Sequence, residues 1–224
     1  YQSALLAESR REDTYLREAV TKIEQLVTDY PGSELVFYAR FKQGDILRKM
    51  GEWEPARQAY SEILRLFPNH PDRWAAQMAM GDTLAAQAGS DLTLQDSAAA
   101  IYERMRDVAS APVELRVEAG FKAGNSLARR GRLDRAAETW WQVVDEFLVQ
   151  NDNPETLGSR GRYWLARMLA QLGEVLEQQG NLAEARRAYA MVPQWGLPEQ
   201  DWARAQLARL GETVMPDEAS DVDE

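Results

Sequence analysis

Three stretches of the chain place the same residue types at the same offsets, and no other feature limits the possible folds so tightly. Starting at Gly44, the offsets three, seven, nine, twelve, sixteen and nineteen give Leu47, Gly51, Trp53, Ala56, Tyr60 and Ile63. The same offsets from Gly124 give Leu127, Gly131, Leu133, Ala136, Trp140 and Val143. From Gly173 they give Leu176, Gly180, Leu182, Ala185, Tyr189 and Val192. Each time the order is small, Leu, Gly, bulky, Ala, aromatic, aliphatic. Two looser copies accompany these. Gly81 and Leu84 lead to Ala98 and Tyr102, which keep their four-residue spacing but arrive five residues late, after "AQAGSDLTLQDS". A copy counted from Ala7 supplies Ala19, Ile23, Leu26 and Pro31, with Arg10 in the Leu position and no Gly at the turn.

Such a period signals a stack of supersecondary units. The residues between the fixed positions are mostly Ala, Leu, Arg, Glu and Gln, which lose little rotamer freedom in a helix. Val, Ile and Thr nowhere form an alternating run. An all-α fold follows. A glycine inside a helix costs about 1 kcal/mol relative to Ala, so Gly44, Gly124 and Gly173 imply a close approach by a neighbour. Gly51, Gly131 and Gly180 fit helix ends, where the chain visits φ > 0. The Ala twelve residues on marks the crossing of the second helix over the first. The aromatic four residues later shares its face. Pro31 and Pro68 stop second helices. The pattern predicts helices near 1–10, 12–29, 33–50, 52–67, 71–88, 92–109, 112–130, 132–149, 157–179, 181–192 and 198–210. Residues 150–159 form the longest loop and 193–198 a turn. The last helix, with Trp202, Leu207 and Leu210, caps the open end of the stack, as helical arrays require. Residues 211–224 hold six carboxylates and no Lys or Arg, a composition expected to stay disordered.

Charge and composition exclude several functions. The formal charge is −10, from 26 basic and 36 acidic residues. Without the last fourteen residues about −4 remains. Nucleic-acid binding calls for a basic face that displaces counterions, and this acidic balance gives no sign of one beyond a local patch, so nucleic acid is not an expected partner. There is no Cys, hence no disulfide or thiolate chemistry. The single histidine, His70, lies between Asn69 and Pro71 and reads as a solvated loop residue. With no second His, a Ser–His–Asp arrangement has no support beyond it, and neither metal nor cofactor is expected. No stretch of about 18 apolar residues occurs, so no membrane-spanning segment is expected, and no signal-peptide pattern is present. The chain begins at Tyr1 inside an expected helix, which reads as a piece of a longer protein. Of seven Trp, Trp53 and Trp140 hold repeat core positions. Trp164, Trp195 and Trp202 are expected to close the C-terminal core.

The Gly, Ala, aromatic and Pro signature resembles the tetratricopeptide repeat, a helix–turn–helix unit of 34 residues in that family. The resemblance implies a right-handed α-solenoid (superhelix) of about five such units over residues 1–210, with a C-terminal capping helix. "YPGSELVFYARFKQGDIL" and "FPNHPDRWAAQMAMGDTL" are similar to junctions in bacterial cell-envelope members, which tilts localisation toward the periplasm or envelope. In this family the first helix of each unit lines a concave groove. Its contact positions fall here on Tyr38, Phe41, Asp45 and Arg48, on Met78 and Asp82, on Phe121 and Asn125, and on Arg167 and Glu174. The expected function is a non-catalytic scaffold that binds a protein or peptide partner in this groove. The Lys/Asn clamp of chaperone-binding members is not matched, since Phe41 and Asp45 occupy its places. Two alternatives are a homo-oligomerisation module of a larger envelope protein and a helical-repeat enzyme using paired carboxylates such as Glu174 and Glu177.

Overall fold

The computed structural model of the chain describes residues 2–151 and 157–212. Among them every regular element is helical. In order these are α1 (Gln2–Asp29), α2 (Leu35–Lys49), α3 (Trp53–Leu66), α4 (Arg73–Ala88), α5 (Leu92–Asp107), α6 (Val113–Arg129), α7 (Leu133–Val144), α8 (Gly158–Gln178), α9 (Leu182–Gln194) and α10 (Gln200–Glu212). The fold is an all-α solenoid built from helical hairpins. The chain divides into two compact units, residues 1–104 and 105–224. In the first, α2 packs on α1 and α3, and α3 on α4. In the second, α6 packs on α7 and α8, α8 on α9, and α9 on α10. The acid-rich segment 213–224 and part of the longest loop lie outside the described residues.

The turn glycines explain the hairpins. Gly51, Gly131 and Gly180 have φ of +76°, +70° and +76°. Each donates its N–H to the carbonyl three residues back, and the following residue donates to the carbonyl five back: Gly51 to Arg48 and Glu52 to Leu47, Gly131 to Ala128 and Arg132 to Leu127, Gly180 to Glu177 and Asn181 to Leu176. This is the Schellman pairing, which satisfies the last carbonyls of the first helix. The second helix then begins within two residues. The same pairing recurs at Gly196 and Leu197, which donate to Pro193 and Val192. It ends α9 two residues later than the sequence pattern predicts, with Pro193 inside the last turn.

The helix-interior glycines have an equally direct cause. A Cβ added to Gly44 would lie 2.6 Å from the Tyr60 ring, and one on Gly81 would lie 2.8 Å from the Tyr102 ring. On Gly124 and Gly173 it would lie closer still, against the rings of Trp140 and Tyr189. The aromatic ring of each second helix thus rests on the bare backbone of its first helix. Tyr60, Trp140 and Tyr189 are fully buried, as are Ala56, Ala136 and Ala185 at the crossings. The late copy obeys the same rule. Its five extra residues are absorbed around the α4–α5 turn, and Tyr102 still reaches Gly81.

Two expectations are corrected. The helices expected at 1–10 and 12–29 are one continuous helix, α1. The linking residues "SRRED" contain neither Gly nor Pro, so nothing breaks the hydrogen-bond ladder. The helix expected to run to 149 leaves the α form at Val144. Residues Asp145–Val149 are π-helical, and Gln150 N–H donates to the Asp145 carbonyl at 2.8 Å.

Candidate functional site

The groove positions lie on α2 and α4 of the first unit and on α6 and α8 of the second. In the first unit, Tyr38 is 50 % exposed and its hydroxyl donates to Asp72 Oδ2 at 2.9 Å. Phe41 is half-buried. Its ring lies parallel to Phe37 at 6.5 Å and tilted against Tyr60 at 5.8 Å. His70 joins this cluster. Its imidazole stacks on Phe37 at 3.7 Å and meets Tyr38 edge-on at 5.4 Å, while Nδ1 accepts the Asp72 N–H at 3.1 Å. The solvated loop histidine expected from sequence is instead a half-buried ring that caps the aromatic cluster. The Pro-flanked turn folds it back onto α2.

Asp45 and Asp82 hold equivalent places. Tyr60 hydroxyl donates to Asp45 Oδ1 at 2.7 Å and Tyr102 hydroxyl donates to Asp82 Oδ1 at 2.8 Å. Each carboxylate, one residue past a glycine, takes the polar end of the ring that rests on that glycine. Each acid thereby ties the two helices of its hairpin together. Arg48 is partly exposed, with Nη2 3.9 Å from Asp45. Met78, expected to face a partner, is only 3 % exposed and serves as core.

In the second unit, Phe121 is also core, at 5 % exposure. Around it stands a cluster that sequence reasoning missed. Trp164 lies 5.0 Å from Phe121 and Tyr163 5.2 Å from Trp164. The Arg167 guanidinium sits 5.4–5.8 Å from the rings of Phe121, Trp164 and Tyr163, and Nη1 donates to Tyr163 hydroxyl at 3.2 Å. Tyr163 is 44 % exposed. Its signal was available: it precedes Arg167 by four residues and so shares its face. Beneath the cluster, the Glu118 carboxylate, 4 % exposed, accepts from Arg160 at 2.6 and 2.9 Å and pairs with Lys122 at 2.7 Å. Asn125 is half-buried. Glu174 is exposed and accepts from Gln171 at 2.8 Å.

Glu177 is engaged by two other side chains rather than by Glu174. Arg209 Nη2 reaches both of its oxygens at 2.7 Å, and Tyr189 hydroxyl donates to Oε1 at 2.6 Å. Burial pushes this carboxyl up, but the bonds from Arg209 and Tyr189 and the guanidinium charge outweigh it, leaving it below the usual glutamate range. Burial and then the carboxylate partners push the phenols of Tyr60 and Tyr189 well above their ordinary value. The unfolded chain loses these phenol protons at about pH 10, while the folded chain keeps them. Stability is therefore full below that pH and falls as pH rises further. Glu177 acts oppositely: its contribution is present above about pH 4.3 and is lost as pH falls through its lower folded value. Urea midpoints measured from pH 3 to 11 should fall at both ends, and a Tyr60→Phe, Tyr189→Phe double variant should show a flatter alkaline limb.

Among the described residues, no group of three or more His, Asp or Glu could hold a metal ion, and no helix is long and apolar enough to cross a membrane.

Repeated hairpins, glycine-seated rings and shared Schellman turns define a helical-repeat protein. The sequence profile of the tetratricopeptide repeat family matches residues 38–70, which span α2, α3 and the turn at His70. No curated protein matches the chain in sequence. Solved structures that share its fold include two of MamA. A crystal structure of MamA is 14 % identical, with a TM-score of 0.52 over 83 % of this chain and 91 % of that one. MamA from residue 41 to its end, from Desulfovibrio magneticus RS-1, is 17 % identical, with a TM-score of 0.53 over 85 % of this chain and 91 % of that one. Residues 38–70 thus carry the sequence signature of one tetratricopeptide repeat, and the chain shares its helical-repeat fold with the two MamA structures.

Proposed function

We propose that the chain is a non-catalytic scaffold whose first helices hold a peptide segment of a protein partner. The observation that carries this reading is the exposure of aromatic side chains on first helices of both units, Tyr38 on α2 and Tyr163 on α8. Tyrosine is costly to leave in water and is a frequent binding anchor, because it buries large area and keeps a polar handle. Under each tyrosine lies a packed aromatic layer, Phe37 and Phe41 in one unit and Phe121 and Trp164 in the other. The anchors are thus pre-organised, which lowers the ordering cost of association.

The test is a random peptide library displayed on phage and selected against the full chain. Selected peptides should lose affinity tenfold or more on Tyr38→Ala or on Tyr163→Ala, with circular dichroism unchanged. Failure to select any peptide, or binders indifferent to both substitutions, would contradict the reading.

Self-association is the second reading, and α1 favours it. From Glu12 to Asp29 none of its side chains is fully buried, and Leu16, Val20, Ile23 and Val27, which repeat at alternating spacings of four and three, are only half-covered although α1 packs on α2. Such a stripe suits a second helix. A mass that rises with concentration in light scattering supports it, and a constant monomer mass removes it.

A further inference from the structure

A pocket of about 210 Å³ opens where α8 meets the last two helices of the second unit. Buried Ala166 and Val192 and half-buried Ala170 and Trp202 line it, together with the exposed Arg167 and Glu199. Three features give it a purpose. Its size lies below the roughly 300–1,000 Å³ of sites for cofactors and drug-sized ligands, yet a cavity of about 150 Å³ already accepts a benzene ring. It suits one apolar side chain. Next, Arg167 touches three aromatic rings and a tyrosine hydroxyl, but no carboxylate among the described residues. Rings orient a guanidinium without neutralising it. Finally, Glu199 has φ +66°, the left-handed region that a residue with a side chain adopts only at a cost. It is the one non-glycine residue with positive φ among those described. Backbone held in that region concentrates where it serves binding, and here it holds a second exposed charge on the lining of the same pocket.

From this geometry we infer that the pocket binds a peptide segment in which one large apolar residue is flanked by an acid on one side and a base on the other. The apolar side chain, Leu, Met or Phe, enters between Trp202 and the alanines. The acid pairs with Arg167 through a charge-assisted bond, and the base pairs with Glu199. The opposite charges at the rim also reject segments in the reversed polarity, which fixes the direction of the bound strand. This inference rests on the scaffold reading and names the partner chemistry of its C-terminal part.

Dodecapeptides selected from a random phage library on the full chain provide the probe. The expected consensus is an acid, an apolar residue and a base. Synthetic copies should bind Arg167→Gln at least tenfold more weakly, and Arg167→Lys in between. Glu199→Gly separates binding from folding. It should raise the melting temperature, because glycine accepts the left-handed backbone freely, while abolishing the preference for the base. Selected peptides that lack the charge pattern, or that bind Arg167→Gln as tightly as the parent, overturn the inference and leave the scaffold reading standing. A Glu199→Gly variant that melts higher and keeps the preference for the base overturns it too. Recovery of no peptide at all removes both.

Discussion

Trp140→Ala lowers the stability of the second unit by about 3–5 kcal/mol, the usual range for emptying a large buried aromatic site. The ring is fully buried and rests on Gly124. Its Nε1–H donates to the Phe121 carbonyl at 3.1 Å, and Phe121 stacks on it at 6.4 Å. Its loss therefore opens a cavity between α6 and α7 and loosens the floor of the Arg167 cluster. The site cannot collapse easily, because Ala136 and Gly124, its neighbours at the crossing, have no side-chain length to fill the space. Trp140→Phe keeps a ring over the glycine and should cost much less, with about 1 kcal/mol from the lost hydrogen bond. Urea midpoints at constant m-value measure both, and hydrogen exchange should place the added openings in α6 and α7.

Glu118→Ala is expected to cost about 2–3 kcal/mol, below the roughly 3–5 kcal/mol for breaking a fully buried pair. Glu118 is the common partner of Arg160 and Lys122. Arg160 is half-exposed and can turn to water when its partner goes. Lys122 is mostly buried and packs 5.7 Å from the Trp164 ring, so its ammonium loses one charge partner in a poorly solvated place. The isosteric Glu118→Gln keeps the volume and some hydrogen bonding and should cost less. A Gln variant as stable as the parent would show that packing, not charge pairing, holds this side chain.

The helical hairpins were legible because their causes are local. A glycine at a Schellman turn and a glycine under a ring each leave a mark at a fixed offset, so three registers located most helix limits. The α1 merger follows from a missing mark: without Gly or Pro after Ser9 the helix simply continues. Other features depend on contacts between distant residues. His70 lies beside a proline turn in sequence, and only the fold brings its ring onto Phe37. Asp45 and Asp82 look like free groove acids until Tyr60 and Tyr102 reach back across the hairpin. Tyr163 falls outside the four groove offsets of its repeat, although its i, i+4 relation to Arg167 marks it. The left-handed Glu199 has no sequence signal, since glutamate, unlike Gly, Asn or Asp, does not mark that conformation.

The central claim is that glycine is required in the first helices because an aromatic ring occupies the place of its side chain. Gly→Ala substitutions test this by the sign of their effect. Gly211 lies in α10 with open space around it, so Gly211→Ala should stabilise by up to about 1 kcal/mol through helix propensity alone. Gly44→Ala, Gly124→Ala and Gly173→Ala gain the same propensity but drive a methyl into a buried ring, and should each destabilise by about 1–3 kcal/mol. Urea unfolding of the four variants decides it: opposite signs for the two classes are the predicted result, and a rise in stability at 44, 124 and 173 like that at 211 would contradict it.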